Sequence, residues 1–433
     1  MSATLYQLQR DHIQALNHAY QARMAAHNLD SLAIYSGHAN NHFADDHATS
    51  FQSYGHFIHW VGMADVQHSW VVIQPPSAPP SFICTRLPIF GTYRLSCLKN
   101  PGWRSSTYIY VAIKSPPPLT GHAAVIGDLK ELASTTPHAN VATLHPEGLV
   151  RELDELRMVK SAYEVACLRE ANRLAIAGHQ AANAAFIGAS AELDVQLAYL
   201  GASRQRESDV PYQNIIGLNE HAGVLHYQRY DLSAPKRRYS LLVDAGRRFR
   251  GYCADITRTY AGPDAPSEFG ELISAMHGLK DELITQIVPG IEFLTLHEQM
   301  HRGLADILIS HGLYQGSVES AVETGVTRAF CPHGLGHSLG IQVHDVAGLR
   351  QPDGSPSPAP DTHPALRLTR TLQAGMVITI EPGLYFIPML LAPLRKKPHP
   401  IDWTLVDRLA VCGGIRIEDN ILVTEGGSEN LTL

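Results

Sequence analysis

Acidic residues stand at the ends of apolar, strand-like runs in the second half of the chain. The run Tyr239–Val243 ends in Asp244, and Asp255 lies among apolar and threonine residues of the next run. A hairpin made from these runs could bring both carboxylates onto one face, because side chains alternate along a strand. Asp before Gly is also an ordinary turn residue, which would explain Asp244 but not Asp255. Two facing carboxylates repel unless a cation or a proton lies between them, so the pattern favours a fold built around such a site.

Two further acids follow the same pattern nearer the end of the chain. The apolar run Met376–Ile380 ends in Glu381, and Arg416 and Glu418 are two residues apart within the run from Gly414 to Val423. Residues two apart lie on the same face of a strand. We therefore expect Arg416 to lie beside Glu418 and to orient it, as outer partners of a metal ligand do.

A glycine-framed histidine cluster lies between the two pairs of acids. His333, His337 and His344 fall within twelve residues, and Gly334 and Gly336 let the backbone pass close to a ligand. Four carboxylates and one neutral imidazole carry four negative charges, which two divalent cations would balance. Oxygen-rich ligand sets of this kind suit Mn²⁺, Co²⁺, Fe²⁺ or Zn²⁺, and not a thiolate zinc site. Two such metals about 4 Å apart can share a hydroxide and polarise a carbonyl, which is hydrolytic chemistry.

Length and composition limit the class of protein and the partners that this chain can have. A chain of 433 residues, 45% hydrophobic and 17% charged, predicts a globular protein with two domains. The formal charge of −7 gives no basic footprint for nucleic acid. The six cysteines form no CxxC pair, which argues against a disulfide scaffold or a thiolate metal site. We find no signal-like segment and no apolar run of about 18 residues, so we expect a cytoplasmic protein without a membrane partner.

Residue periodicity predicts the elements of two domains. In the first domain we expect a helix at 5–27, strands at 32–35, 70–73, 108–113 and 123–127, a loop at 38–59 and a turn at 75–80. A linking helix at 151–157 and a capping box at Ser161–Glu164 follow. In the second domain we expect helices at 161–186, 193–203, 266–286 and 294–311, strands at 376–381 and 414–423, and an exposed excursion at 352–364.

Several motifs, in this order, carry a resemblance to a known family. They are Tyr212–His221, Leu225–Tyr227, Asp244–Gly246, Asp255–Thr259, Pro332–His337, Val343–Asp345, Glu381–Gly383 and Gly414–Glu418. The chain resembles the pita-bread metallopeptidases (methionine aminopeptidase, aminopeptidase P and prolidase) and is most similar to the bacterial Xaa-Pro dipeptidase type. The resemblance implies an α/β (α+β) architecture. A small N-terminal mixed α/β domain at 1–155 would precede a pita-bread catalytic domain at 156–433, with a curved antiparallel sheet flanked by helices.

The resemblance also implies a role for each site residue. The activity would be cleavage of the imide bond of Xaa-Pro dipeptides by a metal-bridging hydroxide, with two divalent metal ions per subunit. Mn²⁺ is the favoured metal, and Co²⁺ and Zn²⁺ are alternatives. Glu381 would be the general base, His344 would hold the substrate carbonyl or oxyanion, and Arg367 would hold the carboxylate of the proline. The implied metal ligands are Asp244, Asp255, His337, Glu381 and Glu418, and the implied substrate-binding residues are Arg367, His333, His226, His344, Tyr212 and Arg416.

The family pattern leaves partners and close alternatives open. A homodimer is usual for such proteins, and the polar segment His38–His59, with Asp45 and Asp46, is a candidate to approach a partner's cleft. Alternative activities are aminopeptidase P action on longer Xaa-Pro peptides, which Arg367 argues against, and hydrolysis of organophosphates. A metal-free peptide-binding protein is an alternative of another class, although all five ligand positions are filled.

Overall fold

The computed structural model describes residues 3–74, 81–84, 108–110, 119, 121–130, 132 and 143–433. The chain folds into two compact units. The N-terminal unit consists of Met1–Cys167 with Arg250–Tyr252, and the C-terminal unit consists of Leu168–Phe249 with Cys253–Leu433. In the described part of the chain, no helix combines the length and the hydrophobicity of a transmembrane span.

The N-terminal unit is built on one mixed sheet. Its helices are α1 (Ala3–Ala26), α2 (Gly55–Val61), α3 (Glu147–Met158) and the start of α4 (Ala162–Ile187). Its strands are β1 (Ser31–Tyr35), β2 (Ser69–Ile73), β3 (Ser81–Cys84), β4 (Tyr108–Tyr110), β5 (Ala123–Ile126) and β6 (Thr143–Leu144). The strand order is β4-β3-β2-β1-β5-β6, with β1 antiparallel to β2 and parallel to β5.

The core of this unit forms where α1 packs against one face of the sheet. Leu16, Tyr20 and Met24 recur at helical spacing and are buried with Ile34 and Val71 of the central strands. Burial of such side chains stabilises the unit by roughly 1.5–3 kcal/mol for each large apolar residue. The helix at 5–27 and the strands at 32–35, 70–73 and 123–127 are thus confirmed.

The structure differs from the predicted loop at 38–59 and describes only part of the predicted strand at 108–113. The sequence predicts a loop over 38–59, but α2 occupies its end, because Phe57, Ile58, Trp60 and Val61 are buried there. The helix is only seven residues long and is preceded by a polar segment, so the sequence shows no helical periodicity there. The predicted strand at 108–113 is confirmed for 108–110, whereas its remainder and the turn at 75–80 lie outside the described residues.

The predicted capping box is present at the start of α4. The Ser161 amide donates to Glu164 Oε2 at 2.8 Å, and the Glu164 amide donates to Ser161 Oγ at 3.4 Å. These two bonds satisfy amide groups that a helix start leaves without partners. The linking helix is also confirmed, as α3, although it begins four residues before its expected start.

A buried histidine makes the stability of the N-terminal unit depend on pH. His56 is 1% exposed, and it bonds the Tyr20 hydroxyl at 2.9 Å and Asp154 Oδ1 at 3.1 Å. Burial lowers the pKa of His56 to about 4, against the opposing hydrogen bond with Asp154. The neutral form is therefore favoured in the folded state. Its contribution is present above the unfolded pKa near 6.5 and is lost as the pH falls towards 4.

We predict that His56→Gln flattens this part of the stability profile. Glutamine can accept from Tyr20 and donate to Asp154, but it does not titrate. Between pH 6.5 and 4 the wild type should lose about 3 kcal/mol more than the variant, at 1.36 kcal/mol per pKa unit. Thermal unfolding followed across this pH range measures the difference. The exposed His18 on α1 supplies the control substitution His18→Gln, and equal slopes for wild type and His56→Gln would contradict the prediction.

The C-terminal unit contains most of the described helices and four small sheets, of two or three strands each. Beside the rest of α4, its helices are α5 (Glu192–Ser203), α6 (Ser267–Thr285), α7 (Phe293–Ser310), α8 (Val318–Glu323), α9 (Val326–Phe330), α10 (Pro388–Arg395) and α11 (Trp403–Leu409). Its strands are β7 (Ile215–Leu218), β8 (Ser240–Ala245), β9 (Arg248–Phe249), β10 (Tyr252–Cys253, which begins in the N-terminal unit), β11 (Ile256–Ala261), β12 (Val377–Ile380), β13 (Gly383–Tyr385), β14 (Gly414–Arg416), β15 (Asp419–Thr424) and β16 (Gly427–Asn430).

The strands of this unit bring distant segments together. β8 is central between β7 and β11, β15 is central between β12 and β16, and β13 pairs with β14, with every pairing antiparallel. The bridge between Thr257 and Glu418 joins the first of these groups to the chain between β14 and β15. The four helices predicted for this unit are confirmed as α4 to α7.

One predicted strand is divided in the structure. The sequence predicts a continuous strand over 414–423, but β14 ends at Arg416 and β15 begins at Asp419. β14 pairs with β13, whereas β15 pairs with β12, so the chain changes partners between them. Glu418 therefore lies at this change of partner. Apolar patterning cannot reveal it, because both halves of the run are buried.

Candidate active site

Asp244 and Asp255 come together at the end of the β8–β11 hairpin. Asp244 lies on β8 opposite Thr257, and Asp255 immediately precedes β11. The Tyr212 hydroxyl donates to Asp244 Oδ1 at 2.7 Å and to Asp255 Oδ1 at 2.5 Å. One phenolic proton is thus shared between two carboxylates. The resemblance implied that Tyr212 binds substrate. In the structure its hydroxyl contacts both acids.

His337 faces the acids with one ring nitrogen. Its Nε2 lies 3.3 Å from Asp255 Oδ2, 3.6 Å from Glu381 Oε1 and 4.0 Å from Glu418 Oε1. Its Nδ1 lies 3.0 Å from the Ser338 carbonyl, which can only accept a hydrogen bond. Nδ1 therefore carries a proton, and Nε2 faces the carboxylates, where it donates to Asp255 when it is protonated and would offer a lone pair to a bound cation when it is not. Metal-binding histidines are oriented in this way.

The carboxylates are buried, and their charges are poorly compensated. Asp244, Asp255 and Glu418 are 8%, 5% and 2% exposed. Desolvation raises the pKa of Glu418 well above its usual range and that of Glu381 to about 7. It also raises the pKa of Asp244, although Arg416 opposes the shift. For Asp255 desolvation is outweighed by the hydrogen bond from His337, which lowers its pKa.

These residues fit a divalent cation. Ligand atoms of Asp255, His337 and Glu418 lie within 4.8 Å of one another. Glu418 Oε1 is buried, and it has no hydrogen-bond partner among the described residues. A buried, unpaired carboxylate oxygen is costly unless a cation or a proton satisfies it. Crowded oxygen donors with one imidazole are the ligand set expected for Mn²⁺, Co²⁺ or Zn²⁺.

Arg416 contacts a different acid from the one expected. It was expected beside Glu418, but its guanidinium donates to Asp244 Oδ2 at 2.6 Å and to the Tyr385 hydroxyl at 2.8 Å. Its Nε reaches Thr257 Oγ1 at 3.3 Å, and Thr257 in turn donates to Glu418 Oε2 at 2.7 Å. Arg416 therefore touches Glu418 only through Thr257. The turn of the chain between β14 and β15 accounts for the difference.

His333 is linked to Arg416 through the Tyr385 hydroxyl. Its Nε2 accepts from the Tyr385 hydroxyl at 2.9 Å, and its Nδ1 donates to the Gly334 carbonyl at 2.8 Å. Burial and the charge of Arg416 lower the pKa of His333 to about 4. His333 is therefore neutral near pH 7. Arg416, Tyr385 and His333 thus form one wall of the site.

His344, His226 and Arg367 lie at the exposed side of the site. The His344 ring stands perpendicular to the His337 ring at a centroid distance of 4.4 Å. Desolvation and the charges of His337 and Arg367 lower the pKa of His344 to about 4. His226 contributes to the lowered pKa of both His333 and His344. The structure thus brings His226 and Arg367 near His344, and both side chains are exposed.

Several residues that support the site were not found from the sequence. Thr257 holds Glu418, Tyr385 links Arg416 to His333, and the Asp255 amide donates to Asn420 Oδ1 at 3.0 Å. Thr379 accepts from the His337 amide at 3.1 Å. Each is uncharged and stands within two residues of an expected ligand or on a facing strand. The one sequence signal for Thr257 was its place two residues after Asp255, whereas its contact with Glu418 is supplied only by the fold.

Comparison with known proteins gives matches in both parts of the chain. Residues 166–425 match the family described as Metallopeptidase family M24, and residues 6–85 match the family Xaa-Pro dipeptidase, N-terminal domain. The curated Xaa-Pro dipeptidase of Marinobacter nauticus is 46% identical over 431 residues, covering 98% of this chain and 97% of that protein. The Xaa-Pro dipeptidase of Erwinia tasmaniensis is 40% identical, covering 99% and 98%.

Solved structures show a similar fold at lower sequence identity. An alanine variant of Escherichia coli aminopeptidase P has a TM-score of 0.72 and 21% identity, covering 98% of this chain and 94% of that one. Proline aminopeptidase P II from Yersinia pestis also has a TM-score of 0.72 and 21% identity, covering 98% and 96%. The expected α/β architecture, with an N-terminal domain before a pita-bread domain, is confirmed. On the family match and these full-length relatives, the chain belongs to metallopeptidase family M24.

Proposed function

We propose that this chain is a Xaa-Pro dipeptidase that uses two divalent cations to hydrolyse the imide bond before a C-terminal proline. The observation that carries the proposal is the convergence of Asp244, Asp255, His337, Glu381 and Glu418 in one buried site. Full-length relatives named Xaa-Pro dipeptidase support the substrate class.

The five ligands would hold the metals through four carboxylates and one imidazole. Two divalent cations balance the four negative charges, and Mn²⁺ is the first choice for so many hard oxygen donors, with Co²⁺ and Zn²⁺ as alternatives. When bound, the cations would supply Lewis acidity and lower the pKa of a water molecule. We further propose a cytoplasmic homodimer with domains at 1–155 and 156–433, in line with the wider family pattern.

The residues around the metals have separate tasks in this mechanism. Glu381 takes a proton from the attacking water and returns it to the proline nitrogen, which has no N–H of its own before cleavage. Neutral His344 donates a hydrogen bond to the substrate carbonyl oxygen, where negative charge develops. His226 lies over the proline side, and His333, tied to Tyr385, lines the pocket. Arg416 and Tyr212 position Asp244 and Asp255.

Arg367 selects for dipeptides in this proposal. Its planar guanidinium can meet the proline carboxylate with two parallel hydrogen bonds. A longer peptide puts an amide where the carboxylate would be, so it gains nothing from this contact. The electrostatic influence of Arg367 on His344 supports a position on the substrate side.

We predict that Arg367→Ala lowers kcat/KM for Ala-Pro by about 10- to 100-fold. The loss corresponds to a charge-assisted hydrogen-bonded contact of about 1.5–3 kcal/mol. Steady-state assays on Ala-Pro and Ala-Pro-Ala measure it, with the tripeptide as internal control because it lacks the carboxylate at that place. A matched fall for both substrates would show that Arg367 has no role in dipeptide selection.

The proposed function is tested by chelation and metal return. The purified full chain is stripped with a chelator and assayed on Ala-Pro and Ala-Pro-Ala after addition of Mn²⁺, Co²⁺ or Zn²⁺. We expect no activity without metal, recovery with Mn²⁺, and a preference for Ala-Pro. Preference for Ala-Pro-Ala would favour aminopeptidase P action, and failure of every metal to bind or activate would overturn the proposal.

A further inference from the structure

A second group of histidines in the C-terminal unit has no part in the site described above. His297 and His301 are four residues apart on one face of α7, and His363 faces them from the excursion 352–364. One ring nitrogen of each lies within 4.8 Å of the others. The ring centroids are 4.4 to 4.8 Å apart. Three imidazoles therefore converge from two separate segments of the chain.

The two helix histidines are buried without adequate hydrogen bonding. His297 and His301 are 1% and 2% exposed. His297 Nε2 and His301 Nδ1 have no partner among the residues that the structure describes. Buried ring nitrogens are usually paired, and an unseen ion is one of the few explanations for an exception. Two independent features, convergence and missing partners, thus point to a ligand.

The protonation state of these imidazoles suits a metal. Burial and the mutual proximity of the rings lower the pKa of His297 to about 2 and that of His301 to about 3. The pKa of His363 is also lowered, by burial and by the charge of Arg328. All three are neutral near pH 7, and neutral imidazole is the form that binds metal.

A small cavity beside the cluster leaves room for a fourth ligand. Its volume is about 160 Å³, and its lining includes Arg328 and His333 together with the three histidines. The Arg328 guanidinium donates to the Val322 carbonyl at 3.0 Å. Its charge weakens the attraction for a cation but favours an anionic fourth ligand, such as hydroxide or chloride.

One existing contact would have to be given up. The Leu335 amide approaches His297 Nδ1 at 3.3 Å, which places the ring proton on Nε2. Binding through Nε2 would require this proton to move to Nδ1. The Leu335 amide and the ring N–H would then face each other as two donors, so the amide and the ring would have to move apart when the ion binds.

We propose that His297, His301 and His363 form a mononuclear site for Zn²⁺ or another cation that prefers nitrogen ligands. Zinc–nitrogen bonds are about 2.0–2.1 Å, so nitrogens on one tetrahedral ion are about 3.4 Å apart. The ligand atoms lie within 4.8 Å of one another, so the rings would have to close by up to about 1.4 Å, a movement that the loop residue His363 can contribute. Neutral nitrogen donors suit Zn²⁺, Ni²⁺ or Cu²⁺, whereas the carboxylate site suits harder cations.

The ion would cross-link α7 to the segment 362–366. This segment immediately precedes Arg367, and the cavity also reaches Pro332, His333 and Gly334. The new site therefore lies behind residues that face the substrate in the proposed function, although its existence does not depend on that function.

Zinc counting tests the site. The chelated full chain and the variant His363→Ala are equilibrated with Zn²⁺, freed of unbound metal, and analysed for zinc per chain. His363 is a half-buried loop residue, so its removal should leave the fold intact. We expect wild type to hold one zinc ion more than His363→Ala, and competition with a chelator should show a loss of roughly 100-fold or more in affinity at that site.

Two further variants make the result unambiguous. His301→Ala should lose the same zinc ion, and His18→Ala, which removes an exposed histidine far along the chain, should keep it. The count is independent of dipeptidase activity, so failure of the proposed function leaves it interpretable. Equal zinc content in wild type, His363→Ala and His301→Ala would overturn the site.

Discussion

Glu418→Gln is expected to abolish activity while it stabilises the metal-free protein. Glu418 is 2% exposed; its Oε2 accepts from Thr257 at 2.7 Å, and its Oε1 has no partner among the described residues. Glutamine keeps an oxygen for Thr257 and replaces the unpaired oxygen with an amide that can donate to neighbouring carboxylates. The same change removes a charge that the cations need.

The substitution should raise the stability of the metal-free protein and lower the activity of the metal-loaded protein. Without metal, the free energy of unfolding at pH 7 should rise by about 1–3 kcal/mol, because folding no longer has to protonate, or bury the charge of, a carboxyl whose pKa desolvation raises. With metal, kcat/KM on Ala-Pro should fall by about 1,000-fold or more, since loss of even an outer partner costs about 10- to 100-fold. Denaturation of the chelated protein measures the first quantity and steady-state assays measure the second, while metal analysis shows whether the variant still binds metal.

A surface glutamate supplies the control. Glu429 pairs with Arg169, and both side chains are more than 40% exposed, so Glu429→Gln should change neither measurement by much. If Glu418→Gln bound two metals and retained activity, Glu418 would not be a ligand. If it destabilised the metal-free protein, the interpretation of Glu418 Oε1 as an uncompensated group would be wrong.

The sequence was sufficient where local rules act. The capping box at Ser161 and Glu164 and the helical spacing on α1 each depend on residues within one or two turns. The four acids of the candidate site could also be picked out, because each ends or borders an apolar run. The structure then brings Asp244 and Asp255 within reach of one tyrosine hydroxyl.

Long-range partners were beyond the sequence. Arg416 and Glu418 are two residues apart, yet the change of strand partner at Ile417 sends Arg416 to Asp244, a residue 172 positions away. Helix α2 was missed because burial by other segments, and not periodicity, stabilises it. The convergence of His363 with His297 and His301 was likewise hidden, since a loop and a helix meet only in the fold.

A buried ion cluster behind Glu418 leads to the second large effect. Asp419 is 0% exposed, and it accepts from Arg258 at 2.6 Å, from Asn430 at 2.8 Å and from the Lys280 ammonium. The Arg258 guanidinium also donates to the Glu418 carbonyl at 2.6 Å. Asp419 therefore holds two cations in place, and one of them fixes the backbone of a candidate metal ligand.

We predict that Asp419→Ala lowers the free energy of unfolding by about 3–5 kcal/mol, because it leaves Lys280 and Arg258 without their shared counter-charge in a buried setting. The free energy of unfolding of Asp419→Asn should lie between those of Asp419→Ala and wild type, since the amide keeps an oxygen for Arg258. Denaturant unfolding of the chelated protein measures the loss.

Asp281→Asn is the matched control. Asp281 also contacts Lys280, at 3.0 Å, but its side chain is 67% exposed, so its removal should cost less than about 1 kcal/mol. Equal losses for Asp419→Ala and Asp281→Asn would show that the buried cluster does not support this unit.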